Sequence, residues 1–303
     1  MLNWDGNKKL IVVAGPTAVG KTDLSIRLAE HYDTEIISAD SRQFYRELMI
    51  GTAKPEPAEL SRVKHHFIDS HSITQTYDAA QFGDDALARA TDLLKKFDHV
   101  IVCGGSGLYI KALIEGFDDI PETDPEIREE LIRGYESNGL EWLQDRMRVE
   151  DPDYFKVVDQ QNPHRLMRAL EVKIGTGASI TSFQTKQKRK LPFRVLKVGL
   201  ELPRELLYAR IDLRMDEMIA RGLFREAEEL LPFRQHQALQ TVGYQEIFEF
   251  LEGKYDRDEA IRLLKRNSRR YAKRQLTWFK RDPEIAWFAP SDITNILGHI
   301  DTH

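Results

Sequence analysis

Residues 15–22 read GPTAVGKT, directly after the apolar run LIVVA (10–14) and directly before a stretch, Lys21 to His31, with apolar residues at three- and four-residue spacing. A G-x-x-x-x-G-K-[ST] loop between a strand and a helix is a phosphate cradle. Gly15 and Gly20 admit close backbone approach, Pro16, Thr17, Ala18 and Val19 form the turn, Lys21 supplies a point charge and Thr22 a hydroxyl for Mg²⁺. Further β-branched runs at 35–39, 99–103 and 194–200, with helical spacing between Asp78 and Phe97, alternate strand and helix. That order predicts an α/β fold, a P-loop NTPase-like parallel sheet flanked by helices.

The alternation stops at Pro121. From there to about Pro192 no strand pattern occurs, and helix starts fall at Asp124-Pro125 and Asn162-Pro163, each with Pro at a first helical position. The segment 119–191 is therefore expected to be an all-helical insertion, with 1–118 and 192–303 forming one catalytic core. Gly175 and Gly177 would close the helix begun at Pro163, and a basic stretch from Lys186 to Lys190 would lead back to the strand at 194. After Pro203 the chain reads as helices over 204–222, 223–231, 242–252 and 256–280.

Composition bears on partner and setting. The formal net charge is −5, which alone argues against a polyanionic partner, but charge is sorted along the chain. Lys173–Lys197 holds seven Lys/Arg and no acid, and Ile261–Arg281 holds nine Lys/Arg and no acid. Within the second stretch Ile261, Leu264, Tyr271, Leu276 and Phe279 make an apolar stripe, leaving Arg269, Lys273 and their cationic neighbours to meet phosphates. Cys103 has no partner for a disulfide, no secretory signal is expected, and no apolar run approaches the roughly 20 residues of a membrane span. A cytoplasmic setting without membrane contact, and action as a monomer, are the expectations.

Asp40 ends the second strand run beside the phosphate loop, where open α/β sheets bind ligands and a carboxylate can accept a proton or bind metal. It can equally be a turn or N-cap acid. CGGSGLYI (103–110) repeats the pattern at the third strand, with Gly104 and Gly105 in the turn and Ser106 at a helix start. With Asp40 the only good acid at these strand ends, transfer to an acceptor is favoured over hydrolysis by water. A small-molecule or nucleoside kinase, and a non-catalytic RNA-binding P-loop module, both remain open at this point.

GPTAVGKT, ISADSRQFY (37–45), IGTAKP (50–55), GGSGLYIKAL (104–113), NPHRLMRALEV (162–172), TVGYQE (241–246) and RRYAKRQLTWF (269–279) occur in one order along the chain. Together they resemble the tRNA dimethylallyltransferases of the bacterial type. The resemblance implies transfer of a dimethylallyl group from dimethylallyl diphosphate to N6 of the adenosine 3′-adjacent to the anticodon, with diphosphate released and Mg²⁺ as cofactor. It implies that the P-loop holds the donor's diphosphate, that Asp40 is the general base, and that Lys21, Ser106 and Arg214 serve the leaving group. Contacts to the tRNA anticodon stem-loop fall, on the same ground, to Asp40, Ser41, Arg42 and Gln43. His164, Arg165, Leu166, Met167 and Arg168 would join them from the insertion. So would Gln240, Thr241, Val242, Gly243, Tyr244 and Gln245.

Overall fold

The computed structural model describes residues 8–185 and 187–303. The first strand, β1 (Lys9–Ala14), is buried along its whole length and leads through the phosphate loop into α1 (Lys21–His31). The chain continues through β2 (Ile36–Ser38), α2 (Pro57–Arg62), β3 (His65–His66), α3 (Ala79–Leu94), β4 (His99–Gly104) and α4 (Gly107–Glu115). A helical segment follows: α5 (Pro125–Glu150), α6 (Pro152–Phe155) and α7 (Pro163–Thr176). The return runs through β5 (Arg194–Leu200), α8 (Arg204–Ala220), α9 (Leu223–Leu230), α10 (Gln245–Leu251), α11 (Arg257–Phe279), β6 (Ile285–Phe288) and α12 (Ile293–Thr302).

All six strands are parallel, in the order β3-β2-β4-β1-β5-β6. Parallel strands covered on both faces must be apolar throughout, which is why the four expected runs are continuous rather than alternating. The two edge strands were not expected. An edge strand pairs on one side only, so β3 needs no apolar run and consists of two histidines, and β6 is the four-residue IAWF. The register sets Ala14 beside Gly104 and Ser38 beside Cys103. The turns that follow β2, β4 and β1 therefore emerge side by side at the sheet's carboxyl edge.

The chain divides into two compact units, Phe117–Arg189 and the remainder. Within Phe117–Arg189 the expected helix starts are present: Asp124 accepts from the Glu126 N–H and Asn162 from the Arg165 N–H, each with Pro next in sequence. Gly177 ends α7 in the left-handed region (φ 74°), while Gly175 lies inside the helix. Leu131, Leu143, Met147, Leu166, Met167 and Leu170 form the core of this unit. Glu171, buried among them, is held by Arg168 (2.7 Å), Arg128 (3.0 Å) and the Thr123 hydroxyl (3.0 Å), so its charge is compensated. Lys186, at the head of the expected basic connector, lies outside the described residues.

One expected helix begins later than its apolar spacing suggests. Gly243 takes φ 107° and its N–H donates to Glu246 Oε2 at 2.8 Å, so α10 starts at Gln245 and residues 240–244 are a loop. No helix among the described residues is long and apolar enough to cross a membrane.

Candidate active site

One pocket gathers the three turns. The P-loop reaches it through Gly15 (φ 151°), Ala18 (φ 64°) and Gly20 (φ 111°), left-handed or near-left-handed positions that bend the chain into an anion-binding concavity. A Cβ on Gly15 would stand 2.8 Å from the Leu200 carbonyl oxygen, so glycine is a steric requirement there. Thr17, Ala18, Lys21 and Thr22 line the pocket. The Lys21 ammonium donates to the Pro16 carbonyl at 2.8 Å, within its own loop. Burial, with a smaller push from the Arg214 charge, brings the Lys21 pKa down to about 8, against the pull of Cys103 and Asp40.

At the end of β2, Asp40 Oδ1 accepts the N–H groups of Arg42 (2.9 Å) and Gln43 (3.3 Å), an Asx turn that fixes the carboxyl plane. Its Oδ2 has no hydrogen-bond partner among the described residues, and Asp40 lines the pocket. The turn-acid reading and the functional reading are thus both satisfied, one by each oxygen. Gln43 is fully engaged: its amide accepts from the Ser38 hydroxyl (3.1 Å) and donates to the carbonyls of Thr52 (3.3 Å) and Ala53 (3.2 Å). This ties the Gly51–Ala53 turn to the pocket rim.

Helices α8 and α11 supply the opposite wall. From α8 come Ile211, Arg214, Met215 and Met218, and from α11 Ser268, Tyr271 and Gln275. Burial holds the Arg214 guanidinium below its ordinary pKa, and no ion pair neutralises it among the described residues. Gln275, buried, links two turns: it accepts from the Thr17 N–H (2.9 Å) and donates to the Gly105 carbonyl (2.8 Å). Tyr271 lies near Asp40; burial, and next the carboxylate charge, push its phenol up to about 12. Thr241, Val242 and Gly243 complete the lining.

The structure brings most of the expected residues together and moves several out. Tyr244 is fully buried, its hydroxyl donating to Glu226 Oε1 at 2.6 Å, so it cannot touch an RNA. Glu226 also accepts the N–H groups of Ile50 (2.7 Å) and Gly51 (2.9 Å), which makes Tyr244 a brace for that rim turn. Gln240 and Gln245 bond each other at 2.7 Å away from the pocket lining. Leu166 and Met167 belong to the core of the insertion and Arg168 is spent on Glu171, which leaves only His164 and Arg165 exposed from that segment. Ser106 is buried just behind the lining: its hydroxyl accepts from the Ser41 N–H (3.0 Å), donates to Ser41 Oγ (3.2 Å) and is within hydrogen-bond reach of the Tyr271 phenol, which lines the pocket.

Arg269 is also reassigned. Both oxygens of Asp212, on α8, accept from its Nη1 (2.5 and 2.7 Å). Lys265 pairs with Asp216 at 2.7 Å in the same way. An acid-free stretch can still be neutralised by acids of another helix, which a one-dimensional charge count does not register. Sequence spacing also missed Met215, Met218 and Gln275. The only trace of the two methionines was RMDEM (214–218) in an ordinary helical pattern, and Gln275 stood within RRYAKRQLTWF (269–279) with no role assigned to it.

A family model described as IPP transferase matches residues 43–282. The chain belongs to the IPP transferase family. It is 52% identical over 295 residues to a tRNA dimethylallyltransferase of Cytophaga hutchinsonii, covering 97% of each, and 49% identical over 294 to that of Christiangramia forsetii. Among solved structures it is similar to the tRNA isopentenylpyrophosphate transferase of Bacillus halodurans, with TM-score 0.72 and 37% identity over 97% of this chain and 96% of that one. A eukaryotic dimethylallyltransferase acting on tRNA aligns with TM-score 0.76 and 27% identity, over 95% of this chain and 75% of that one. Membership of the IPP transferase family settles the reaction class that the P-loop left open: the enzyme is a prenyltransferase, not a kinase, on a P-loop NTPase-like fold.

What the pocket can do follows from its charges. Lys21, Arg42 and Arg214 face one carboxylate, Asp40, an excess of positive charge suited to a diphosphate. Ile211, Met215, Met218 and Val242 provide apolar surface on the same cavity, suited to a short hydrocarbon.

Proposed function

We propose that this enzyme transfers the dimethylallyl group of dimethylallyl diphosphate to N6 of the adenosine 3′-adjacent to the anticodon of tRNA. The allylic C–O bond to diphosphate breaks, a C–N bond forms, and the proton lost from N6 passes to Asp40 Oδ2. The observation that carries this reading is the pairing, in one pocket, of an anion cradle with a carboxylate whose outer oxygen is unengaged. Lys21, Arg214 and the loop N–H groups offset the charge that grows on the leaving diphosphate. Met215 and Met218 sheath the isoprenoid chain in polarisable, adaptable surface.

Mg²⁺ fits the residues present in one limited way. Among the described residues no three His, Cys, Asp or Glu side chains cluster as a metal cage. Mg²⁺ commonly keeps waters and binds through few protein groups plus substrate phosphates, so Thr22 would hold it together with the donor. When bound it supplies further positive charge to the leaving group.

The target base must leave the anticodon-loop stack to reach Asp40, so an extruded adenosine is the bound form. Ser41 and Arg42 flank Asp40 at the pocket, the Thr241–Gly243 turn lines it, and Ser106 sets the position of Ser41. His164 and Arg165 give the insertion its own exposed RNA-facing residues. A tRNA substrate supports a cytoplasmic setting. The test is incubation with anticodon stem-loop RNA and dimethylallyl diphosphate, followed by RNA mass measurement. A gain of one five-carbon unit on that adenosine is expected; unchanged RNA, or phosphate transfer from ATP instead, contradicts the reading.

A further inference from the structure

The pocket-lining residues of α11 lie on one stripe: Ser268, Tyr271 and Gln275. One step further, at the i+3 position from Gln275, the stripe reaches Trp278, which leaves the pocket and lines a separate surface groove with Arg270, Lys273, Arg274, Thr277 and Arg281. At 1.5 Å per residue, Trp278 lies about 10 Å along the helix from Tyr271.

Trp278 is 39% exposed, so part of its indole face is open to solvent. Its ring is also fixed in place. It lies across Gly107, where a Cβ would come within 2.2 Å of the indole Cδ1 and Nε1, so only glycine at the head of α4 leaves room for it. Gly107 is two residues beyond Gly105, which lines the pocket.

Several cations elsewhere on the helix are neutralised. Arg262, Lys265 and Arg269 are paired with Glu259, Asp216 and Asp212. Arg270, Lys273, Arg274 and Arg281 have no ion pair among the described residues, and Arg274 lies over the Tyr271 ring (5.7 Å), next to the pocket. A fixed, exposed aromatic face ringed by unneutralised cations is the arrangement by which proteins hold unpaired nucleotides: the ring stacks a base and the cations follow the backbone.

We propose that Trp278 is a stacking platform for an unpaired nucleotide adjacent to the target adenosine, with Arg270, Lys273, Arg274 and Arg281 holding the phosphates on either side. This rests on the RNA-modifying function proposed above and adds to it a specific binding subsite outside the reaction pocket. The platform explains how an extruded base can be presented: the neighbour is fixed on the surface while the target turns inward.

The test uses the full chain and anticodon stem-loop RNA without donor, binding being read by RNA anisotropy. Trp278→Ala is expected to weaken binding about tenfold to a hundredfold, as loss of one stacked base does; Trp278→Phe, which keeps a ring, is expected to restore most of it. An RNA with an abasic nucleotide next to the target should cost the wild type a similar factor and cost Trp278→Ala almost nothing more. In turnover the loss should appear in KM for RNA, with affinity for dimethylallyl diphosphate retained as evidence of an intact pocket. Equal abasic penalties in wild type and Trp278→Ala would overturn the platform, as would wild-type RNA affinity in Trp278→Ala. Competition by an acidic peptide as effective as RNA, and indifferent to Trp278, would show a merely electrostatic surface and also overturn it. A wild type that binds RNA with these dependences yet adds no isoprenoid would defeat the proposed reaction while leaving the platform standing.

Discussion

On the P-loop side the pocket is walled largely by main chain, with Gly15, Ala18 and Gly20 at positive φ and Lys21 and Thr22 as the side chains with a chemical role. On the α8–α11 side it is walled by side chains standing on regular helix: Arg214, Met215, Met218, Tyr271 and Gln275. The first wall depends on backbone conformations that few residue types can adopt, so it leaves a fixed pattern in consecutive positions. The second depends on which way a helix faces, so pocket residues are interleaved with core residues such as Leu264, Ala272 and Phe279 and share their spacing. Phosphate chemistry resides in the first wall; fit to an acceptor and to a hydrocarbon resides in the second. Asp40 lies at the seam.

If the seam is where proton transfer happens, Asp40→Asn should have the largest effect, lowering kcat about a hundredfold to ten-thousandfold while both substrates still bind. Single-turnover modification with preformed RNA complex measures it; wild-type rates would remove Asp40 as the base. Next comes the main-chain wall. Lys21→Met should lower kcat about a hundredfold to a thousandfold and leave RNA affinity unchanged.

The same lysine predicts a pH dependence. Because burial brings its pKa in the free enzyme to about 8, and a bound diphosphate favours the ammonium, donor binding should take up a proton near that pH and weaken as pH rises through it. Titrations with a donor analogue above and below pH 8 check this, and Lys21→Met should flatten the profile. A profile identical in the variant would assign the dependence to another group.

Gln275 joins the two walls, so Gln275→Leu should act on both. It leaves the Thr17 N–H and the Gly105 carbonyl without their partner, costing about 1–3 kcal/mol in denaturant titration and raising KM for the donor. An unchanged donor KM would reduce Gln275 to a purely structural residue. The smallest effects separate the paired and unpaired cations of α11. Arg270→Gln should reduce the slope of log affinity for RNA against log salt by about 0.7, whereas Arg269→Gln should leave that slope alone and cost about 1 kcal/mol or less of stability through Asp212.

These contrasts explain which parts of the molecule could be read from sequence. The central strands declared themselves because they are buried on both faces, and GPTAVGKT declared itself because its geometry restricts residue type. The strand β3 did not, since two histidines at a sheet edge need no apolar run, and neither did the loop before α10, where Gly243 interrupts a helical pattern. The resemblance named Tyr244 and Ser106; the fold uses Tyr244 to brace the Gly51 turn and sets Ser106 just behind the pocket lining, against Ser41 and Tyr271. The acid-free stretch 261–281 pointed to RNA as a whole; the positions of Asp212, Asp216, Glu201 and Glu259 divide it into cations consumed by folding and cations left for a partner.

The most direct test is a structure of the enzyme with anticodon stem-loop RNA and a non-reacting thio-diphosphate analogue of the donor. The expected result places the diphosphate on the 15–22 loop in contact with Lys21 and Arg214, and Asp40 Oδ2 within about 3 Å of the extruded adenine N6. A diphosphate bound elsewhere, or an Asp40 carboxylate turned away from N6 in that complex, would contradict the account.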